Sequence, residues 1–270
     1  MTNETEKNPL GTAVVTGASA GLGKIYADRL ARRGYNLILV ARREDRLQAV
    51  AETLRNSHGV KVDTIVADLG TVVDLERVAT VLSTNADITM LVNNAGTSTL
   101  AKLGDTALSD VKSMTDVNVT ALVRLSLAAL PAFRQRNHGV IINLGSVLSF
   151  HALPISSAYS GTKGYVLNFT RGLQDEVAGT GVRVQLVLPA ATATDIWDLS
   201  GVPLTQLEPG TVMDAEECVD AALAGLDQGE LITMPSLEDV QVLKDYEEAR
   251  LKLMAASRTS KSASRYHVGN

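Results

Sequence analysis

The chain has 270 residues, 25 basic and 30 acidic side chains, a net charge of −5 and one cysteine, Cys218. That length supplies an ample core, the interspersed charges form no basic stripe for nucleic acid, and a lone cysteine excludes an internal disulfide. Met1 to Asn8 reads as a polar, flexible tail without a leader's apolar stretch, and no apolar run approaches the ~18 residues of a membrane span, so a soluble, reducing compartment, the cytoplasm, is expected.

Strand-like runs recur at 12–16, 37–41, 62–67, 88–93, 139–145, 182–188 and 230–234, with helical patterns between them. Alternating β and α units predict an α/β fold: one doubly wound, mostly parallel sheet flanked by helices, over residues 9–256. The first run, Thr12 to Val15, leads into Thr16-Gly17-Ala18-Ser19-Ala20-Gly21-Leu22-Gly23 and then a helix ending at Gly34. Strand, glycine turn and helix make a phosphate site, because the glycines let backbone approach and the helix N-terminus offers free N–H groups. The second run ends at Ala41, followed by Arg42 and Arg43. A dinucleotide fold commonly places an acidic residue there for a ribose 2′-hydroxyl. Here nothing repels a 2′-phosphate, and Arg42 can pair with it; the alternative is a solvated turn before the helix starting near Glu44.

Farther along, 107–134 reads as one long helix with Val111, Met114, Val117, Leu122, Leu125 and Leu130 apolar, and 158–178 as another. Tyr159 and Lys163 lie four apart, on one face of that second helix. A phenol beside an ammonium is a proton-transfer device. Bringing the tyrosine from a pKa of about 10 to near neutrality takes roughly 4 kcal/mol, which a close, partly buried positive charge can supply. Asp214-x-x-Glu217 and Ser236-x-x-Asp239 read as capping boxes. A helix over 237–256 carries Val240, Leu243, Tyr246, Leu251 and Met254, and the Ser-, Lys- and Arg-rich tail over 257–270 is expected to be mobile.

Thr-Gly-x-x-x-Gly-x-Gly at 16–23, Asn93-Asn94-Ala95-Gly96, and Tyr159-x-x-x-Lys163 stand in the order and spacing of the short-chain dehydrogenases/reductases, and the chain resembles that family over roughly 9–235. The resemblance implies a Rossmann-type fold and an NADP(H)-dependent interconversion of a carbonyl and an alcohol. Tyr159 would be the general acid or base. Lys163 would bind the nicotinamide ribose and lower the tyrosine pKa. Ser146, thirteen residues before the tyrosine, would bond the substrate oxygen; on chemistry alone Ser149 and Ser157 compete with it. Asn118 would hold a water in a proton relay. Asn93 would tie the sheet centre, while Asn94, Ala95 and Gly96 let cofactor lie close, and Asp68 with the Leu69 backbone would take the adenine. The Ala41-Arg42 pattern resembles the NADP-preferring type; Ser19 could bond the phosphate, and Ala20 stands where a supporting basic residue is sometimes found.

After the sixth strand the family's Pro-Gly run becomes Pro189-Ala190-Ala191-Thr192-Ala193-Thr194. Ala190 replaces a glycine and would be strained at positive φ. Thr192 and Thr194 would still flank the carboxamide. Two segments, 147–157 and a lid over 195–212, cover the site and supply Leu148, Phe150, Leu153, Ile155, Trp197, Leu199, Leu204 and Leu207; these residues either line an apolar substrate site or pack the lid on its scaffold. His151 is a lone loop histidine. The implied partner is a small carbonyl or alcohol substrate, with neither nucleic acid nor membrane, and no metal is expected. The helix pair 107–134 and 158–178 would join copies into a homodimer or homotetramer. Two alternatives remain: an NAD-dependent alcohol dehydrogenase, and a cofactor-binding sensor or scaffold without turnover.

Overall fold

A computed structural model describes residues 10–266, with the side chains of Asp198 and Leu199 excepted. The tail expected over 1–8 and the last four residues of the one over 257–270 lie outside the described residues, as does the Leu199 side chain. Seven strands form one parallel sheet: β1 (Thr12–Thr16), β2 (Asn36–Ala41), β3 (Val62–Val66), β4 (Ile88–Asn93), β5 (Gly139–Leu144), β6 (Val182–Val187) and β7 (Ile232–Thr233). Their order is β3-β2-β1-β4-β5-β6-β7. The chain winds outward from β1 to one edge, then returns to wind from β4 to the other. A crevice therefore opens at the C-terminal ends of β1 and β4, where such sheets bind ligands.

The inner strands β1, β4 and β5 are apolar almost throughout because helices cover both faces. Helices α1 (Gly21–Arg32), α2 (Glu44–His58) and α8 (Ala215–Gln228) bury Tyr26, Leu30, Leu47 and Leu223 on one face. On the other, α3 (Val72–Thr84), α5 (Leu122–Gln135) and α6 (Ser157–Glu176) contribute Leu82, Leu125, Phe133 and Leu173. A buried polar ladder crosses the sheet centre. The Asn93 amide donates to Ser126 Oγ (3.0 Å) and Asn143 Oδ1 (2.9 Å), and Asn143 donates to Thr170 Oγ1 (3.0 Å).

The helix expected over 107–134 is continuous from Leu108 to Gln135 but not uniform: α4 (Leu108–Thr115) and α5 are joined by a π-helical segment, Asp116–Ala121. By length and composition this helix could span a membrane, contrary to the reading that no apolar run approaches that length. Half of its apolar window is packed inside the fold, as in a core helix. Contacts divide the chain after Ser236 into two units. The second unit holds α9 (Val240–Ala256), which starts three residues later than the sequence suggests. Its N-cap is Asp239, accepting from the Gln241 N–H at 2.9 Å, rather than Ser236. None of its residues is buried. A short 3-10 turn, Ser264–Tyr266, follows within the segment expected to be a mobile tail.

Candidate active site

The glycine turn runs from β1 to α1 beneath the β4 terminus. Gly17 has φ +68°, and a Cβ on Gly23 would lie 2.4 Å from the Gly17 carbonyl oxygen and 2.5 Å from Asn94 Nδ2. Only hydrogen fits there. Ala20 is the N-cap of α1 and no side chain caps the helix, so its first N–H groups at Gly21, Leu22 and Gly23 are left for an anion. Thr16 organises the neighbouring loop: its hydroxyl donates to Val92 O (3.1 Å) and accepts from the Asn94 and Ala95 N–H groups (3.0 and 2.9 Å). The Asn94 side-chain NH2 donates to the Thr16 carbonyl (2.8 Å), so both Asn94 nitrogens are tied to Thr16.

At the β2 end Ala41 is buried, and Arg42 is exposed without a polar partner among the described residues. Arg43 and Arg46 are drawn to Asp195, at 3.9 and 3.2 Å. Asp68 uses Oδ1 to accept from the Gly70 N–H (3.0 Å), and Leu69 after it is buried.

The candidate catalytic residues Ser146, Tyr159 and Lys163 stand just beyond β5 and on α6. Ser146 follows β5 and caps a 3-10 turn, Val147–Ser149, accepting from the Leu148 N–H at 3.1 Å. Its hydroxyl is also hydrogen-bonded to the Tyr159 side chain. Ser149 closes the other half of that capping box, accepting from the Ser146 N–H (3.3 Å), and Ser157 is exposed. Of the three serines, Ser146 is therefore the one brought to the tyrosine. Lys163 is 7 % exposed, lies 5.8 Å from the Tyr159 ring centre, and donates to the Leu144 carbonyl at 2.9 Å.

One expectation is corrected here. The lowering of the Tyr159 pKa expected from Lys163 is not seen in this structure: desolvation pushes the phenol up to about 12, opposed by the Ser146 bond. Desolvation also pulls Lys163 down, to about 8. The ammonium lies over the ring face, 5.8 Å from its centre, and is engaged by the Leu144 carbonyl.

Asn118 sits in the π segment, where an extra residue per turn turns its side chain inward. Its Nδ2 donates to Thr97 O (2.9 Å) and Thr162 Oγ1 (3.1 Å), and its Oδ1 accepts from the Thr97 N–H (2.9 Å). Thr162 in turn bonds the Tyr159 carbonyl (2.7 Å). A Cβ on Gly96 would sit 3.3 Å from Asn118 Oδ1 and 3.8 Å from Lys163 Nζ, so this small residue lets the two polar groups approach each other. The roles of Thr16, Thr97 and Thr162 were not legible beforehand, because threonines recur throughout the chain.

Along 189–194, Ala190 does not have positive φ, so the missing glycine costs no strain. Thr192 pairs with Met213 as an isolated bridge, and its carbonyl accepts from the Trp197 indole (2.8 Å). The lid holds α7 (Ile196–Ser200) and a 3-10 turn at Leu204–Gln206. Phe150 is half-buried and packs against the cluster that holds Leu122, Val166 and Leu186.

The family model described as short chain dehydrogenase matches residues 11–201. Among solved structures, a short-chain dehydrogenase from Sphingobium yanoikuyae in complex with NADPH is 42% identical with a TM-score of 0.92, covering 95% of this chain and 100% of that one. The bulky-bulky ketone specific alcohol dehydrogenase from Comamonas testosteroni is 39% identical with a TM-score of 0.87, covering 95% and 98%. Very-long-chain 3-oxoacyl-CoA reductase-A of Danio rerio is 34% identical over 208 residues, 76% of this chain but 65% of that protein. The chain thus spans just under two thirds of that relative's length.

Proposed function

The chain belongs to the short-chain dehydrogenase family, and from that premise we propose that it is an NADP(H)-dependent oxidoreductase interconverting a ketone and a secondary alcohol. The observation that carries this reading is the Ser146–Tyr159 hydrogen bond at the crevice beyond β5, with Lys163 buried over the ring face. The cofactor, when bound, supplies or accepts the hydride. The uncapped N-terminus of α1 and the Gly17–Gly23 cradle suit its pyrophosphate; Arg42 and Ser19 suit a 2′-phosphate; Asp68 suits the adenine.

Tyr159 does the proton work. A phenol raised to about 12 is fully protonated at neutral pH, which suits a general acid and hence carbonyl reduction. Ser146 holds that hydroxyl in place and can donate to the developing alkoxide. Lys163 lies over the ring face, suits the ribose hydroxyls, and is tied to β5 through Leu144. Asn118 locks the loop after β4 to the catalytic helix through Thr97 and Thr162, and Pro189, Thr192 and Thr194 suit the carboxamide end.

For the substrate, the apolar side chains around the lid and the two ketone-handling relatives both favour a ketone with a hydrophobic body. The test is a panel of bulky, acyl-thioester and sugar carbonyls with NADPH. Turnover of bulky ketones or 3-oxo thioesters is expected. Tyr159→Phe should then lower it by about 10²-fold or more while leaving NADPH bound. Near-native turnover in that variant would assign the proton to Ser146 or water instead.

A further inference from the structure

Asp195 occupies the N-cap of α7, a position where an aspartate ordinarily accepts a bond from the helix's own N–H groups. Here its carboxylate makes no capping bond. It reaches across 149 positions of sequence to Arg46 (3.2 Å), with Arg43 at 3.9 Å. Those arginines open α2, at the same corner of the crevice as Arg42. The residue before it, Thr194, lies over the glycine turn: a Cβ on Gly21 would meet Thr194 Cβ at 3.3 Å. The segment leaving β6 therefore passes over the start of α1 and is fastened beyond it, at the end of β2.

Among the described residues the lid is also held by the Trp197 indole, which donates to Thr192 O (2.8 Å), and by backbone at two places. At its base, Ala193 N–H donates to Met213 O (3.0 Å) and Met213 N–H to Ala191 O (2.9 Å). On the β4 side, Leu100 N–H donates to Ser200 O (2.8 Å). The contact to Arg46 and Arg43 differs in kind: it is ionic, exposed on both partners, and can open without breaking secondary structure. We propose that Asp195 is an ionic latch, a positioning residue that holds the lid closed over the cofactor groove and slows release of the cofactor. This rests on the reading of the crevice as a nicotinamide-cofactor site. A dinucleotide lying from the glycine turn to the end of β2 would have to pass beneath this strap to leave.

The test uses the full chain with Asp195→Asn, Arg46→Gln and the double variant. NADPH and NADH dissociation are followed after a chase by stopped-flow. Each single variant should speed release of both cofactors by roughly two- to five-fold, the scale of one exposed ion pair. The double variant should be no faster than the singles, because both remove the same contact. Near 1 M salt, where the screening length is about 3 Å, wild type should approach the variants. The single-turnover hydride rate should not change. Trp197, the only tryptophan in the chain, reports the lid without cofactor. Its emission should shift to the red in both single variants.

Three results overturn the latch: an unchanged Trp197 emission, additive effects in the double variant, or tighter NADPH binding with NADH unaffected. The last would make Asp195 only a charge opposing the 2′-phosphate. A protein that binds neither cofactor yet shows the Trp197 shift would retain the latch and remove the cofactor reading.

Discussion

Tyr159 and Lys163 carry opposite consequences of one burial. Desolvation keeps the phenol neutral to about pH 12 and lets the ammonium go near pH 8. An unfolded lysine titrates near 10.5, so below pH 8 both states are charged and the fold carries the full cost of the buried cation. Between about 8 and 10.5 the folded state sheds its proton first, and stability rises. Tyr159 reverses the trend above pH 10, where the unfolded phenol ionises and the folded one does not. The cofactor-free protein should therefore gain thermal stability from pH 8 to 10, and Lys163→Met should abolish that gain. Melting curves across this window decide it; a rise that persists in Lys163→Met would assign it to another group. Arg42 supports a second expectation. It is exposed, without a polar partner among the described residues, and next to Ala41. Arg42→Ala should weaken NADPH binding about tenfold, the scale of one charge-assisted bond, and leave NADH binding nearly unchanged. Calorimetry showing tighter NADH binding by the wild type would refute the 2′-phosphate assignment. Sequence spacing singled out Ser146, Tyr159, Lys163 and Asn118, and the structure joins Ser146 to Tyr159 and sets Lys163 over its ring. It could not show the sense of the tyrosine shift, because i, i+4 spacing puts two side chains on one face without saying which atom the ammonium meets.

The βα turn and the π segment are the two elements that build the crevice, and they differ in legibility. Thr16 to Gly23 is written in residue types, since a Cβ at Gly23 would strike the Gly17 carbonyl and the Asn94 amide. Gly23→Ala should cost about 1–3 kcal/mol and weaken cofactor binding, because backbone rather than a flexible side chain must move. Chemical denaturation and a cofactor titration read the two effects, and an unaltered midpoint would count against the cradle. The π segment was not legible: the apolar points of 107–134 step by five from Val117 to Leu122, across the π segment, but they also step by five from Leu125 to Leu130, where the helix is α. The strand ends were legible to within a residue or two, which at β7 is enough to shrink five expected residues to two. Its run meets only the end of β6, so pairing partners and not propensity limit its length. The start of α9 was misplaced because Ser236 and Asp239 both suit an N-cap, and only Asp239 makes the bond.

At the scale of the whole molecule, the helices beside the crevice leave apolar surface that the core does not use. Leu127 on α5 is 59 % exposed, and Tyr165 on α6 is 49 % exposed and stacked on Phe169 with ring centres 6.3 Å apart. One exposed leucine needs no explanation, whereas apolar residues on two neighbouring helices suit a self-complementary contact. A two-fold axis uses such a patch twice, so each residue buried in one copy is buried again in the other. We expect a dimer or tetramer, joined through α5 and α6. Leu127→Glu together with Tyr165→Glu should raise the dissociation constant by roughly 10²-fold or more, because each copy would bury two charges without partners. The two changes lie on outward faces, so the melting transition of the separated chains should stay cooperative. Light scattering at micromolar concentration gives the answer: a multiple of 28.6 kDa for the unaltered chain and a shift toward 28.6 kDa for the double variant. A monomer in the unaltered chain would sink the assembly, and an unshifted oligomer in the variant would move the contact to another face.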